Sequence, residues 1–284
     1  MSVSPEQDPL TLRPFPDRLF YETGALLAKD DFRDEQTYHR GRLARALRYL
    51  HGSGTVAGLR VEWTPREEGV REEHLTVKPG LAIDRWGRII EVPRSACLRL
   101  DRWYRAQEPD FLTQAFHPRT PPVPDDPYTG VVVDLFIRFT VCERGKTPIF
   151  ATGPFDALDA VAPSRLRDWY ELELVLRPES DPPLPRPWHP ELASIADPEA
   201  KRVALKNAIL DNWRETTADT DDDALPLLPE HRVGQDPASI FLARMVIPAT
   251  AGSPPVRTSD PVTVDNLRRP FVVPPFGIAR WLDL

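Results

Sequence analysis

Proline sets the narrowest limit on what this chain can fold into. It carries 33 prolines but only 14 glycines in 284 residues. That is about 12% proline, against a usual level of roughly 5%. Each proline fixes φ and removes a backbone donor, so long helices and inner strands must fit between prolines. Proline without matching glycine also makes connections stiff rather than floppy. A compact helix bundle and a doubly wound α/β enzyme are both disfavoured on this ground.

The proline-free stretches carry the pattern. Phe32, Gln36, His39, Leu43, Leu47 and Leu50 recur at steps of three and four and share one helical face. Asp30 or Asp31 suits the cap, Asp34 and Glu35 suit the first turn, and Gly52 and Gly54 stop the helix. The spacing predicts a helix over about 31–51 that docks by this apolar face. Short strand patterns follow at Val56–Trp63, Leu75–Val77 and Ile89–Val92, with turn signals at Pro79-Gly80 and Asp84–Gly87. Further on, Val131–Val141 reads as a buried strand. In Asp168–Arg177, Leu172, Leu174 and Leu176 alternate with Glu171, Glu173 and Val175. These two runs and Ile240–Ile247 are expected to share a second sheet.

The fold class is therefore read as α+β: one N-terminal helix packed on a small antiparallel sheet, followed by a β-rich unit with Pro-rich extended arms. The expected divisions are an extended N-terminal arm over 1–19, a helix-plus-sheet unit over 20–106 and a Pro-rich linker over 107–127. A β-rich unit over 128–248 carries a helical insertion at about 191–216, and an extended C-terminal arm covers 249–284. The arms are expected to be free until a neighbour orders them.

Charge and cysteine content narrow the function. With 36 basic and 43 acidic side chains the net charge is −7, so there is no bulk basic field for nucleic acid. The start lacks a basic-then-apolar leader, and no apolar run is long enough for membrane insertion. Cys97 and Cys142 are the only cysteines, and they are expected to be buried, reduced thiols in a cytoplasmic protein. Gly145-Lys146-Thr147 resembles the end of a phosphate loop, but Thr140 stands where that loop needs glycine, and a turn is the simpler reading. Ser53 between Gly52 and Gly54 lacks the glycine spacing of a nucleophile elbow. The histidines form no zinc pattern, and the Asp219–Asp223 run lacks the distal Glu of a calcium loop. The expectation is no enzyme, no catalytic residue, no metal and no cofactor.

The opposite face of the predicted helix groups Tyr38, Arg42, Arg45 and Tyr49. Tyrosine and arginine are enriched at protein contacts, so these four are the candidate interaction residues.

Several blocks then resemble a recurrent family of phage-tail-like proteins from contractile injection systems. The first is Asp31-Phe32-x-x-Glu35-Gln36-x-Tyr38, continuing through Arg42–Leu50 to His51-Gly52-x-Gly54-x-Val56-x-Gly58-Leu59-x-Val61. The second is Val77-x-Pro79-Gly80-x-Ala82-Ile83-Asp84-x-x-Gly87-Arg88-x-Ile90. Shorter pieces are Cys142-Glu143, Thr147-Pro148, Pro163-Ser164-Arg165, Leu242-Ala243-Arg244 and Val264–Arg269. Relatives in this family often carry cysteine before Gly58-Leu59, where this chain has Ala57. The resemblance implies a structural component of a contractile particle, in the baseplate or as an adaptor for fibres or spike. Its partners would be other baseplate, sheath, tube or spike subunits, or further copies of itself. Seven tryptophans leave an alternative, a carbohydrate- or receptor-binding module carried by such a particle.

Overall fold

The computed structural model describes residue 10 and residues 17–67, 72–118, 129–148, 161–186, 190–213, 225–273 and 277–278. Most of the expected N-terminal arm, the stretch 119–128 and the acidic run Asp219–Asp223 lie outside the described residues.

The chain is mixed helix and sheet. Helix α1 spans Lys29–His51. Asp31 acts at its third position rather than as the cap: its carboxylate accepts the backbone N–H of Ala28 at 2.6 Å. Gly52 ends it at φ 72°, its N–H donating to the Arg48 carbonyl at 3.0 Å.

Six short strands follow in two antiparallel sheets. One has the order β1 (Gly54–Gly58), β4 (Gly80–Ile83), β5 (Ile89–Val92). The other has the order β2 (Val61–Thr64), β3 (His74–Val77), β6 (Ala96–Leu98). The Val56–Trp63 pattern is thus two strands in different sheets. The chain changes sheet at Gly58-Leu59, with Leu59 fully buried at φ 55°. Glycine is required at 58, because a Cβ there would lie 2.1 Å from the Pro79 carbonyl oxygen at φ +65°.

Residues 107–118 are not a linker. Helix α2 (Leu100–Arg105) is followed by α3 (Pro109–Gln114), with Pro109 in its first turn, and by strand β7 (Phe116–His117). Proline reads as a breaker in sequence but opens a helix at this position.

The large sheet is built on β8 (Gly130–Pro148), flanked by β9 (Val161–Leu176) and β10 (Ile240–Thr250). The expected sharing of one sheet by three distant runs holds, all antiparallel. Val131, Val133, Leu135 and Ile137 face the main core with Leu172, Leu174 and Leu176. That core also contains Leu59, Val77, Ile90 and Tyr104, so the helix-plus-sheet region and the β-rich region share one interior. On the other face, Phe136, Val175 and Phe241 pack under Leu184 of the Pro-rich connection. Asp134 and Arg244 hold that connection down: Arg244 clamps Asp134 at 2.8 and 2.9 Å and donates to the Pro182 and Pro183 carbonyls. The insertion forms a 3₁₀ turn (Pro190–Ser194) and helix α4 (Pro198–Leu210).

The C-terminal stretch is not a free arm as far as residue 273. Strands β11 (Val256–Arg257) and β12 (Thr263–Asp265) pair with β10. Asn266 then imitates a strand neighbour for Val61, accepting its N–H at 2.8 Å and donating to its carbonyl at 2.9 Å. Arg269 is buried, donates to the Leu59 carbonyl at 2.7 Å, and is pushed down to about 10 by burial and by Arg60. Pro270 and Val272 bond to Thr55. Prolines keep this segment from forming its own sheet, and its backbone groups are met by the N-terminal strands instead.

Candidate interaction surface

Helix α1 docks on the body by the face opposite its apolar stripe. The turn after β4 makes this possible. Asp84 is fully buried and accepts the N–H groups of Trp86 at 2.9 Å and Arg88 at 2.8 Å, plus the Arg88 Nε at 2.6 Å. Burial pushes its carboxyl up, and the Arg88 guanidinium opposes that. The turn so fixed presents Gly87 at φ +85° to Ala44 of α1, where a Cβ would lie 1.8 Å from the Ala44 carbonyl oxygen. Thr37 and Ala44 are the buried residues of the helix. Arg48 lies over the Trp86 ring at 6.0 Å, and Leu10 packs beside Gly41.

The expected docking face is therefore corrected. Phe32 is 50% exposed, Leu43 55% and Leu50 76%, and Gln36, His39 and Ala46 are exposed beside them. The body takes small residues at close range, Phe32, Leu43 and Leu50 point away, and Leu47 of the expected face is half-buried. Among the expected interaction residues, Tyr38 is half-buried and edge-on to His39, with ring centroids 5.4 Å apart. Arg42 is exposed. Tyr49 stacks on Trp213 at 5.2 Å and 24°, and Arg45 lies over the same ring at 5.9 Å. Two of the four thus touch the end of the helical insertion of their own chain. Trp213 had no sequence signal, because its partners lie more than 160 residues away.

A second surface is the far end of the β8–β9 hairpin. From Glu143 to Pro148, and from Pro163 to Asp168, both faces are exposed. The pairing sets Arg144 opposite Arg165, Cys142 opposite Arg167 and Lys146 opposite Pro163. Arg144, Lys146, Arg165 and Arg167 consequently share one face of a two-stranded ribbon. Gly145-Lys146-Thr147 is strand here, not the expected turn and not a loop before a helix. Like charges directly opposite each other weaken a ribbon that has no core beneath it.

A cleft of about 680 Å³ is lined by Trp63, Arg66, Glu73, Arg102 and Arg257, among others. Glu73 accepts from Trp63 Nε1 at 2.7 Å and from both terminal nitrogens of Arg257. Burial pushes its carboxyl up, but the bonds from Arg257 and Trp63 outweigh burial and hold it below its ordinary value of 4.5. A depressed carboxylate stabilises the fold above its unfolded value and loses that contribution as pH falls through the folded one. Wild type should therefore lose stability more steeply below about pH 4.5 than Glu73→Gln, as read from urea midpoints against pH.

Cys97 is exposed on β6 rather than buried, Cys142 is half-buried on β8, and both are free thiols. Among the described residues no His, Cys, Asp and Glu group could hold a metal, and no helix is long and apolar enough to cross a membrane. No protein-family model and no curated protein matches the chain.

Proposed function

We propose that this chain is a structural subunit of a contractile, phage-tail-like injection particle, placed in the baseplate or as an adaptor for fibres or spike. The observation that carries the reading is the geometry of α1. A 23-residue helix is anchored by Ala44 on Gly87 and turns Phe32, Leu43 and Leu50 to solvent. An apolar stripe of that length on a helix already docked by its other side suits an assembly contact. The basic ribbon supplies a second contact, suited to a carboxylate-rich neighbour. The blocks that resemble the injection-system family support the reading from another side. They build the docked helix, the Asp84–Arg88 turn that meets it, the Arg244 clamp and the Asn266–Arg269 strap. In this reading the chain binds and positions, and no reaction is assigned to it.

The test is to tag the chain in cells that make such particles and to sediment the particles through a gradient. The tagged chain should travel with sheath and tube proteins at a fixed ratio. A chain that stays at the top of the gradient while particles form normally contradicts the proposal.

A further inference from the structure

The exposed stripe of α1 has a period that identifies what covers it. Phe32, Gln36, His39, Leu43, Ala46 and Leu50 follow one another at steps of four, three, four, three and four, and all six are exposed. That is the 3.5-residue repeat of a coiled-coil seam, with Gln36, Leu43 and Leu50 at the a positions and Phe32, His39 and Ala46 at the d positions. Most contacts with the body lie at the outer positions, Thr37 and Ala44 at b, Gly41 and Arg48 at f, Arg45 at c, and Tyr49 at g stacks on Trp213 at the edge of the seam. A straight helix with its b, c and f side on the body leaves its a and d side clear for another helix. From Phe32 to Leu50 the seam runs about 28 Å.

We propose that the occupant is α1 of a second copy of this chain, packed parallel and in register as a two-stranded coiled coil. Three features select a second copy over a foreign helix. First, the polar layers are self-complementary. The Gln36 amide carries both donor and acceptor groups, so it can hydrogen-bond its own kind across the seam, and like residues meet like at every layer of an in-register pair. Second, the flanking charges fit a parallel pair. Glu35 at g of one copy falls beside Arg40 at e of the other. An antiparallel pairing about the same centre would set Arg40 against Arg40 and Arg42 against Arg42. Third, the two bodies lie on opposite outer sides of the pair, and a two-fold axis along the seam closes the interface with no apolar strip left over.

The inference rests on reading this stripe as a contact surface, but its test needs no particle. Purified chain at micromolar concentration should sediment at twice its 32.2 kDa mass. Leu43→Asp with Leu50→Asp should halve that mass and leave the unfolding temperature of the body unchanged, since both sites face solvent in the single chain. Direction and register are read separately, in a Cys97→Ser, Cys142→Ser background. There Gln36→Cys should form a disulfide between copies on mild oxidation, whereas Asp30→Cys, exposed at an outer b position, should not. A wild-type chain that is monomeric at every concentration overturns the proposal. So does a dimer that ignores the two Leu replacements, or one that fails to bridge at position 36. A monomer still found in particles would overturn the pair and keep the assembly role; a pair absent from particles would do the reverse.

Discussion

Replacing Asp134 with Ala should destabilise the chain by about 3–5 kcal/mol, the range for removing one partner of a buried ion pair. Asp134 is 0% exposed and lies between two guanidinium groups. Arg244 grips it with Nε and Nη2, and Arg177, itself 1% exposed, approaches at 3.5 Å. Burial pushes the Asp134 carboxyl up, while Arg244 and Arg177 act against it, and the net direction is upward. The ion cluster is thus a poor source of net stability while intact. The large loss comes from what Ala leaves behind. Arg177 would keep Glu179 at 3.2 Å and the Glu230 carbonyl at 2.6 Å, and Arg244, only 16% exposed, would keep the Pro182 and Pro183 carbonyls, so two buried cations would lose their shared carboxylate. Urea unfolding at neutral pH measures the cost. Asp134→Leu combined with Arg244→Met should recover part of it, because the pair leaves together. A loss below about 1 kcal/mol for Asp134→Ala would show that water reaches the cluster and screens it.

Strand existence was legible in sequence wherever one face alternated. Leu172, Leu174 and Leu176 point into the core as their spacing requires, and Val131–Val141 and Ile240–Ile247 pair in one sheet. The ends of these strands were not legible. β8 and β9 run on to Pro148 and back from Val161 as a ribbon held by its own ladder, and the exposed residues there have no apolar period to read. Proline misled twice, for related reasons. Pro109 opens a helix, where a missing N–H costs nothing. The prolines after residue 250 suggest a free arm, yet the segment is bound by side-chain mimicry from Asn266 and Arg269, which no periodicity reveals. The helix itself was legible, but its docking side was not. Apolar spacing shows which residues share a face and not what that face meets. Here the helix meets the turn after β4 through Ala44 and Gly87, two residues whose signal is small size.

That inversion governs the second large effect. Leu43→Asp with Leu50→Asp puts two carboxylates into the stripe without touching the Ala44–Gly87 contact. Both side chains are more than half exposed, so the folded single chain should change by less than about 0.5 kcal/mol. At a buried interface the same change removes two anchors and adds two unpaired charges. Anchor residues of this kind are worth roughly 2–4 kcal/mol each, so the combined loss of binding should exceed about a hundredfold. Arg45 and Tyr49 give the contrast. Tyr49→Ala removes the stack on Trp213, so it should act on the seating of the helical insertion more than on assembly.

The most direct single measurement is the recovery of the Leu43→Asp, Leu50→Asp chain in sedimented particles, set against wild type expressed at the same level and shown by thermal unfolding to be equally folded. A folded variant depleted from particles by about a hundredfold or more is the expected result. A folded variant recovered at the wild-type ratio would contradict the assembly role of α1.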